Sequence, residues 1–130
     1  MTISRMRQSE WTITTTINRK EAENMKRTKN MVYKPTENAD YLYLIMVNDG
    51  DLYRTTNQPI CRTLARHMRK GNFDEEAATK AFYRVAQEVA KKDSRQFPED
   101  NRNFTTADKW TAAADAVRHY MEYIVELATE

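Results

Sequence analysis

The clearest pattern of apolar and polar positions runs from Asp74 to Lys92. Apolar residues recur there every three or four positions, which places them on one face of a helix. They are Ala78, Ala81, Phe82, Val85 and Val89. Asp74 precedes the segment as an N-cap, and the acidic residues at its start and the lysines at its end complement the helix dipole. The pattern predicts a helix that Asp74 caps.

A longer apolar face occupies the last part of the sequence. Thr105 stands three residues before Asp108, which is the spacing of a capping box, so a helix is expected to begin there. The apolar positions that follow repeat at spacings of three and four. They are Trp110, Ala113, Ala114, Val117, Met121, Ile124 and Ala128.

These two helices are expected to pack against each other. A polar link of residues 93–103, broken at Phe97-Pro98, joins them. The alanines of the first helix allow a second helix to approach closely. Phe82 and Trp110 are the large side chains expected in the core where the two helices meet.

A third helix is predicted after Pro59, a residue that favours the first helical position. Ile60, Leu64 and Met68 share one face of it, and Lys70-Gly71 forms a C-terminal signal. The preceding apolar run, residues 41–47, lacks strict alternation and is compatible with a central helix or a buried strand. The helical context favours a helix, capped by Asn38 or Asp40.

Four small polar residues, "NDGD" at positions 48–51, follow that apolar run. A calcium-binding loop of the helix-loop-helix type needs oxygen ligands at regular intervals over twelve residues and ends in a glutamate. Counted from Asp49, the twelfth position is Ile60, so the pattern does not fit. A helix stop explains the residues better, with Gly50 free to take a positive φ and Asp51 available as the next cap.

The first 38 residues have a different pattern. Trp11, Ile13 and Ile17 lie among threonines in "WTITTTI", which favours an extended strand. Asn18 is placed to cap a short, highly charged helix, and Lys34-Pro35 ends it. The predicted fold is all-α, a small bundle of about four helices with an N-terminal extended arm. Residues 1–38 form the basic arm and residues 39–130 the helical domain.

Composition agrees with one domain that has a real core. The 130 residues are 40% hydrophobic and 31% charged, and two glycines and three prolines are too few for a fold with many hairpins. The single cysteine forms no internal disulfide, and no signal-peptide pattern is present. The longest apolar run is far shorter than the roughly 20 residues that cross a bilayer. We therefore expect a cytoplasmic protein without a membrane span.

The sequence contains no recognisable catalytic or metal-binding pattern. His67 and His119 have no second histidine or cysteine at ligand spacing, and both are expected on the surface. Cys61 lies near a predicted helix start, where a thiolate could be stabilised, but a structural cysteine is the better interpretation. A phosphate-binding glycine loop and a carboxylate pair with an acid-base separation are also lacking. The sequence predicts a non-enzymatic protein without cofactor or metal.

One group of basic residues forms a candidate binding surface. Arg62, Arg66 and Arg69 follow the i, i+4, i+7 spacing of one helical face, opposite Ile60 and Leu64. The remaining candidate binding residues are Tyr53, Arg54 and Lys70 near this helix, and Arg19, Lys20, Lys26 and Arg27 in the arm.

These basic residues can bind phosphates or the acidic side chains of a protein partner. The formal net charge of +2 is unevenly distributed, because residues 1–38 carry +4 and residues 39–130 carry −2. A slightly acidic body without a helix-turn-helix or aromatic ribonucleoprotein motif speaks against nucleic acid as the first choice.

The block "NDGDLYRTTNQPICRTLARHMRKGNFDEEAATKAFYRVAQEVAKK", residues 48–92, resembles a block of small accessory proteins encoded by phages and other mobile elements. The similar features are an "NDG-LYR" turn, a proline-started basic helix, and a "G-x-FD" cap before an "A-x-K-x-F-Y" helix. The resemblance covers about a third of the chain and implies a setting, in which small phage proteins bind and block host machinery, including defence systems such as CRISPR.

The sequence is therefore interpreted as a binding protein of phage or mobile-element type that blocks a host complex. The alternative is a nucleic-acid-binding accessory protein that uses the arm and the arginine face, and a third reading is a small enzyme whose site is assembled from scattered residues. The expected partner is a host protein or ribonucleoprotein complex. Contact with nucleic acid and self-association into a homo-oligomer are left open.

Overall fold

The computed structural model describes residues 33–130, and this part of the chain is built from helices. The four longer ones are α1 (Glu37–Asn48), α2 (Gln58–Arg69), α3 (Glu75–Gln96) and α4 (Thr106–Ala128). No strand occurs within residues 33–130, so the all-α prediction is confirmed for them. The predicted strand over residues 11–17 and the short helix after Asn18 lie outside the described residues.

The last helix, α4, is the centre of the bundle. It contacts each of the other three helices, and α1 and α2 run in the same direction as α4 whereas α3 runs in the opposite direction. Its buried residues include Ala112, Ala113 and Ala116. Because alanine projects only a methyl group, neighbouring helices can approach the α4 backbone from several sides. None of the helices within residues 33–130 combines the length and the apolar character needed to cross a membrane.

The core lies around α4 and draws on every helix. Its largest fully buried apolar side chains are Leu42 and Met46 from α1, Phe82 from α3, and Val117 and Ile124 from α4. The ring of Phe82 stacks on that of Tyr120, with 5.6 Å between the centroids. Phe82 is thus confirmed as a core residue where α3 and α4 meet.

Trp110 is also confirmed as a buried residue between α3 and α4, at a different place from Phe82. Its ring stacks on Tyr83, with centroids 3.9 Å apart, and it lies outside the main cluster of buried apolar residues. Residues 82 and 83 are successive positions of α3 and therefore face different sides of that helix. The two aromatic residues stabilise separate parts of the α3 and α4 interface.

The apolar run of residues 41–47 lies in α1, so the helical interpretation is confirmed and the strand alternative is wrong. The predicted caps Asn38 and Asp40 are also wrong, because both lie inside the helix. Thr36 is the N-cap, and its hydroxyl accepts a hydrogen bond from the Ala39 amide at 3.0 Å. The same hydroxyl donates to Asp108 at 2.6 Å, which joins the start of α1 to α4.

Residues 33–36, the end of the predicted arm, lie along α4. The Tyr33 hydroxyl donates to Asp115 at 2.9 Å. The Lys34 amide donates to the Thr111 hydroxyl at 2.7 Å, and that hydroxyl donates to the Lys34 carbonyl at 3.1 Å. These bonds hold the chain against α4 immediately before α1 begins.

The "NDGD" residues do separate two helical segments, but by a different geometry from the predicted one. Asp49, and not Asp51, is the cap, and its carboxylate accepts from the Leu52 amide at 3.1 Å. Gly50 begins the helical turn Gly50–Leu52 and has no positive φ; among the described glycines Gly71 does, at 76°. Asp51 forms an ion pair with Arg54 instead. The cap lies two residues earlier because the chain resumes a helical path at Gly50.

The helix predicted from Pro59 is confirmed as α2, with Pro59 in its first turn, but α2 is not preceded by a break in the helical path. The turn Gly50–Leu52 continues through a π-helical segment, Tyr53–Asn57, directly into α2. The Gln58 amide donates to the carbonyl of Tyr53, five residues earlier. Proline has no amide hydrogen and its ring clashes with a carbonyl four residues back, so the wider π turn accommodates Pro59 inside a continuous helical path.

The ends of α3 and α4 follow local capping chemistry. Asp74 caps α3, as predicted, and accepts from the Glu76 amide at 3.2 Å. The helix continues through the predicted link to Gln96, and Phe97, next to Pro98, ends it. Asp93 therefore lies inside α3 and is buried. The predicted capping box is confirmed, because Thr105 and Asp108 exchange both hydrogen bonds, at 2.9 and 3.0 Å.

Asp108 is expected to contribute to stability in a pH-dependent way. Burial raises the pKa of its carboxyl group, but the hydrogen bonds from Thr36 and Thr105 outweigh burial and hold that pKa below its usual value. Asp108→Ala leaves these donors without their acceptor and should lower the free energy of unfolding by about 2 kcal/mol at pH 7.

The effect of Asp108→Ala should shrink in acid. A depressed carboxyl pKa stabilises the fold above the unfolded value, about 4, and this stabilisation is lost as the pH falls through the folded pKa. Urea unfolding at neutral pH and near pH 3 measures the difference. Glu122→Ala, an exposed change on α4, is the control and should stay within about 0.5 kcal/mol. An equal loss for the Asp108 variant at both pH values would contradict the assignment.

Candidate functional site

The outer face of α2 is the surface that the sequence singled out, and it has the predicted form. Cys61, Leu64 and Ala65 are buried toward α4. The opposite face is in solvent, where Arg62, Arg66 and Arg69 are exposed. We call these three arginines the basic ridge. Because α2 is packed along one side on the core, the ridge stands on a rigid support.

The basic ridge has no acidic counterpart in the described part of the protein. No carboxylate of residues 33–130 lies within the ion-pair distance of 4.0 Å of any of the three arginines. The segment of residues 52–73 contains five basic residues and no Asp or Glu. Residues 33–51 and 74–130 carry 9 basic and 16 acidic residues, so positive charge is concentrated on this segment of an otherwise acidic body.

The three arginines differ in their contacts with the protein. Arg69 donates from Nη1 to the carbonyl of Leu127 at 2.8 Å. It thereby caps the C-terminal end of α4, whose last turn contains no basic residue of its own. Arg66 makes one long hydrogen bond, 3.4 Å, to the Thr63 hydroxyl. Arg62 and Arg66 are therefore the members of the ridge that folding uses least.

The other predicted site residues near α2 fall into different surroundings. Arg54 is exposed in the π-helical segment and pairs with Asp51, and Lys70 is the exposed C-cap of α2. Tyr53 is half-buried, and its ring lies 6.2 Å from that of Tyr120. A hydrogen bond with Tyr123 and burial raise the pKa of Tyr53, and the positive charge of the nearby Arg62 partly offsets this increase. The ring of Tyr53 thus belongs to an internal tyrosine cluster. The predicted arm residues Arg19, Lys20, Lys26 and Arg27 lie outside the described residues.

Asn57 is a buried polar residue that the sequence reading missed. It is 0% exposed, and its Nδ2 donates to the Met46 carbonyl at 2.7 Å and to the Tyr120 hydroxyl at 3.1 Å. Asn57 therefore satisfies a carbonyl near the end of α1 and ties it to α4. Its signal in the sequence was weak, since it lies four residues before the inward-facing Cys61.

Cys61, the candidate nucleophile, lies in the core, and the two histidines lie on the surface. Cys61 is buried, and burial raises the pKa of its thiol to about 12, which disfavours the thiolate. His119 is exposed, with its Nδ1 3.2 Å from the Tyr43 hydroxyl and its ring edge-on to Tyr120. His67 is exposed on α2. The stabilised thiolate considered from the sequence does not agree with this burial.

The two acidic residues beside Gly50 serve the helix: Asp49 is an N-cap and Asp51 pairs with Arg54. Within residues 33–130, no group of three or more His, Cys, Asp or Glu residues could hold a metal ion.

Asp49→Ala should lower the free energy of unfolding by about 1 kcal/mol, the usual effect of losing an N-cap. Asp51→Ala should change it by less than about 0.5 kcal/mol, because the pair with Arg54 is exposed.

Thermal unfolding of both variants, with and without calcium, tests these roles. Calcium should leave the Tm of the unaltered protein unchanged. A calcium-dependent rise in Tm that the Asp49 and Asp51 variants abolish would instead indicate a metal loop.

No protein-family model, curated protein or solved structure matches this chain.

Proposed function

We propose that this chain is a small cytosolic binding protein of phage or mobile-element type, without enzymatic activity, that occupies an acidic surface of a host complex through the basic ridge. One observation carries the proposal. Arg62, Arg66 and Arg69 are exposed on one face of α2, and no carboxylate of the described residues pairs with them. The resemblance of residues 48–92 makes a host defence complex, such as a CRISPR effector, the first class of target to test.

The ridge is suited to bind carboxylates. Guanidinium groups form two parallel hydrogen bonds to a carboxylate, and such charge-assisted bonds are stronger than neutral ones. Since Arg62 and Arg66 have no internal ion pair within the described residues, a partner's acidic group displaces no carboxylate when it binds. The rigid support by α4 lowers the ordering cost of binding, and the concentrated charge accelerates encounter with an acidic surface.

A protein partner is favoured over nucleic acid by the position of Tyr53. Single-stranded nucleic acids are commonly held by a basic groove together with aromatic rings on which bases stack. Tyr53 is the aromatic residue expected beside the ridge, and its ring contacts two other rings, those of Tyr120 and Tyr123. The ridge therefore offers charge without that stacking platform, which suits acidic side chains better than bases.

Capture from a bacterial lysate before and after nuclease treatment separates the two partners. The full-length chain is immobilised, and bound proteins are eluted with increasing salt. We expect one protein or complex to remain bound after nuclease treatment and to elute as salt screens the ridge. Loss of all captured material after nuclease treatment would support the nucleic-acid alternative. Retention that does not depend on salt would contradict binding through the ridge.

A further inference from the structure

We propose that a second basic surface, at the other end of α4 from the ridge, binds the phosphate group of a nucleotide. A cleft of about 370 Å³ opens between the C-terminal half of α3 and the segment that leads into α4. Four basic residues line it: Lys91 and Arg95 from α3, Arg102 from the connection, and Lys109 from α4. We call this surface the basic cleft.

The charge of the basic cleft is only partly compensated. No aspartate or glutamate lines it. Within the described residues, Arg95 and Lys109 have no carboxylate at ion-pair distance. Lys91 lies 3.7 Å from Glu88, but both side chains are largely exposed, so this pair is weak and can yield to a ligand.

Arg102 is held in place and has an unused donor. Its guanidinium carbon lies 3.8 Å above the Tyr41 ring, and its Nη1 is 3.6 Å from Asp100. That nitrogen is buried and has no hydrogen-bond acceptor among the described residues. Because this nitrogen is enclosed by the protein, a ligand in the cleft would meet the rest of the Arg102 guanidinium group and its positive charge.

Asp93, the buried acid of this region, does not pair with Arg102. Its Oδ1 accepts from the Tyr41 hydroxyl at 2.5 Å, and its Oδ2 has no donor among the described residues. No hydrogen bond or ion pair joins Asp93 to Arg102.

The shape and lining of the basic cleft favour a nucleotide over a bare ion. Its volume lies within the roughly 300 to 1,000 Å³ of small-molecule sites. Phe104, whose ring packs on Tyr41 with 6.1 Å between centroids, provides an apolar wall, and Ser94 and Asn103 provide neutral polar groups. The guanidinium group of Arg95 can hold two phosphate oxygens while the wall contacts the nucleoside, and Arg102 and Lys109 add positive charge. The ligand is either a free mononucleotide or the phosphorylated end of a nucleic-acid strand.

Calorimetric titration of the full-length protein with AMP and adenosine tests the phosphate requirement. AMP should bind, and adenosine should bind at least roughly tenfold more weakly because it lacks the charged group. Arg95→Gln with Lys109→Gln should weaken AMP binding by roughly tenfold or more. The matched control, Arg84→Gln with Lys92→Gln, removes two charges from exposed positions of α3 outside the cleft and should leave the affinity unchanged.

Two short oligonucleotides, with and without a 5′ phosphate, distinguish the ligand sources. Preference for AMP indicates a free nucleotide, and tighter binding of the phosphorylated strand indicates a strand end; both support the proposal. Absence of binding by AMP and by the phosphorylated strand would overturn it. Equal affinity for AMP and adenosine, or equal losses in the cleft and control variants, would overturn it as well. Circular dichroism of each variant verifies folding.

Discussion

Replacing Arg62 and Arg66 together with glutamate is expected to leave the protein folded and to weaken partner binding by on the order of 2 to 4 kcal/mol. Like charges placed opposite each other at an interface repel strongly, and the reversal turns two attractive contacts into repulsive ones. Both side chains are exposed, and no internal ion pair within residues 33–130 is lost. Arg66 lies in the last turn of α2, where a glutamate opposes the helix dipole, so stability should fall by about 1 kcal/mol.

Arg69 is kept unchanged in this variant because it caps α4 through the Leu127 carbonyl. A glutamate there would remove this hydrogen bond and place negative charge beside the C-terminal carbonyls of α4, so a loss of folding would be confused with a loss of binding. The matched control reverses Arg84 and Lys92, which are exposed on α3 and away from the ridge. Capture of the partner and thermal unfolding are measured side by side. Capture that survives in the ridge variant, or fails equally in the control, would exclude the ridge as the interface.

Phe82→Ala should lower the free energy of unfolding by about 3 to 5 kcal/mol. The side chain is 0% exposed and packs between α3 and α4, where its ring stacks on Tyr120. Truncation removes the buried ring and leaves a cavity that the surrounding helices can only partly fill. Single domains are stable by roughly 5 to 15 kcal/mol, so the loss is a large share of the total.

Chemical denaturation of the Phe82 variant is compared with that of Phe97→Ala. Phe97 is 43% exposed at the end of α3, so its removal should cost less than about 1 kcal/mol. Similar unfolding midpoints for the two variants would contradict the assignment of Phe82 to the centre of the core.

Helix starts could be predicted where the signal lies within a few residues. Asp74 and the Thr105 and Asp108 capping box were predicted and confirmed, because a side chain bonded to an amide two or three residues later is encoded by local spacing. The wrong caps, Asn38, Asp40 and Asp51, came from places where several polar residues compete. There the contact of Thr36 with Asp108 and the continuation of the helix from Gly50 determine the start.

The π-helical segment before Pro59 could not be predicted from neighbouring residues. Pro59 is compatible with a first helical turn, and the sequence offers that simpler interpretation. In the structure, the side-chain amide of Asn57 donates hydrogen bonds to the Met46 carbonyl of α1 and to the Tyr120 hydroxyl of α4. These partners lie 11 and 63 residues away, so no window of neighbouring residues contains them.

The sequence by itself determined the two long helices α3 and α4 and the basic ridge on α2, because each follows from the period of a single helix, whereas residues 41–47 were also compatible with a strand. An i, i+4, i+7 spacing places three arginines on one face whatever the helix packs against. Only the tertiary structure decided that α4 is the centre, that Phe82 and Trp110 lie apart, and that Lys91, Arg95, Arg102 and Lys109 line one cleft. Those features depend on the antiparallel packing of α3 on α4, which is set by burial summed over many side chains.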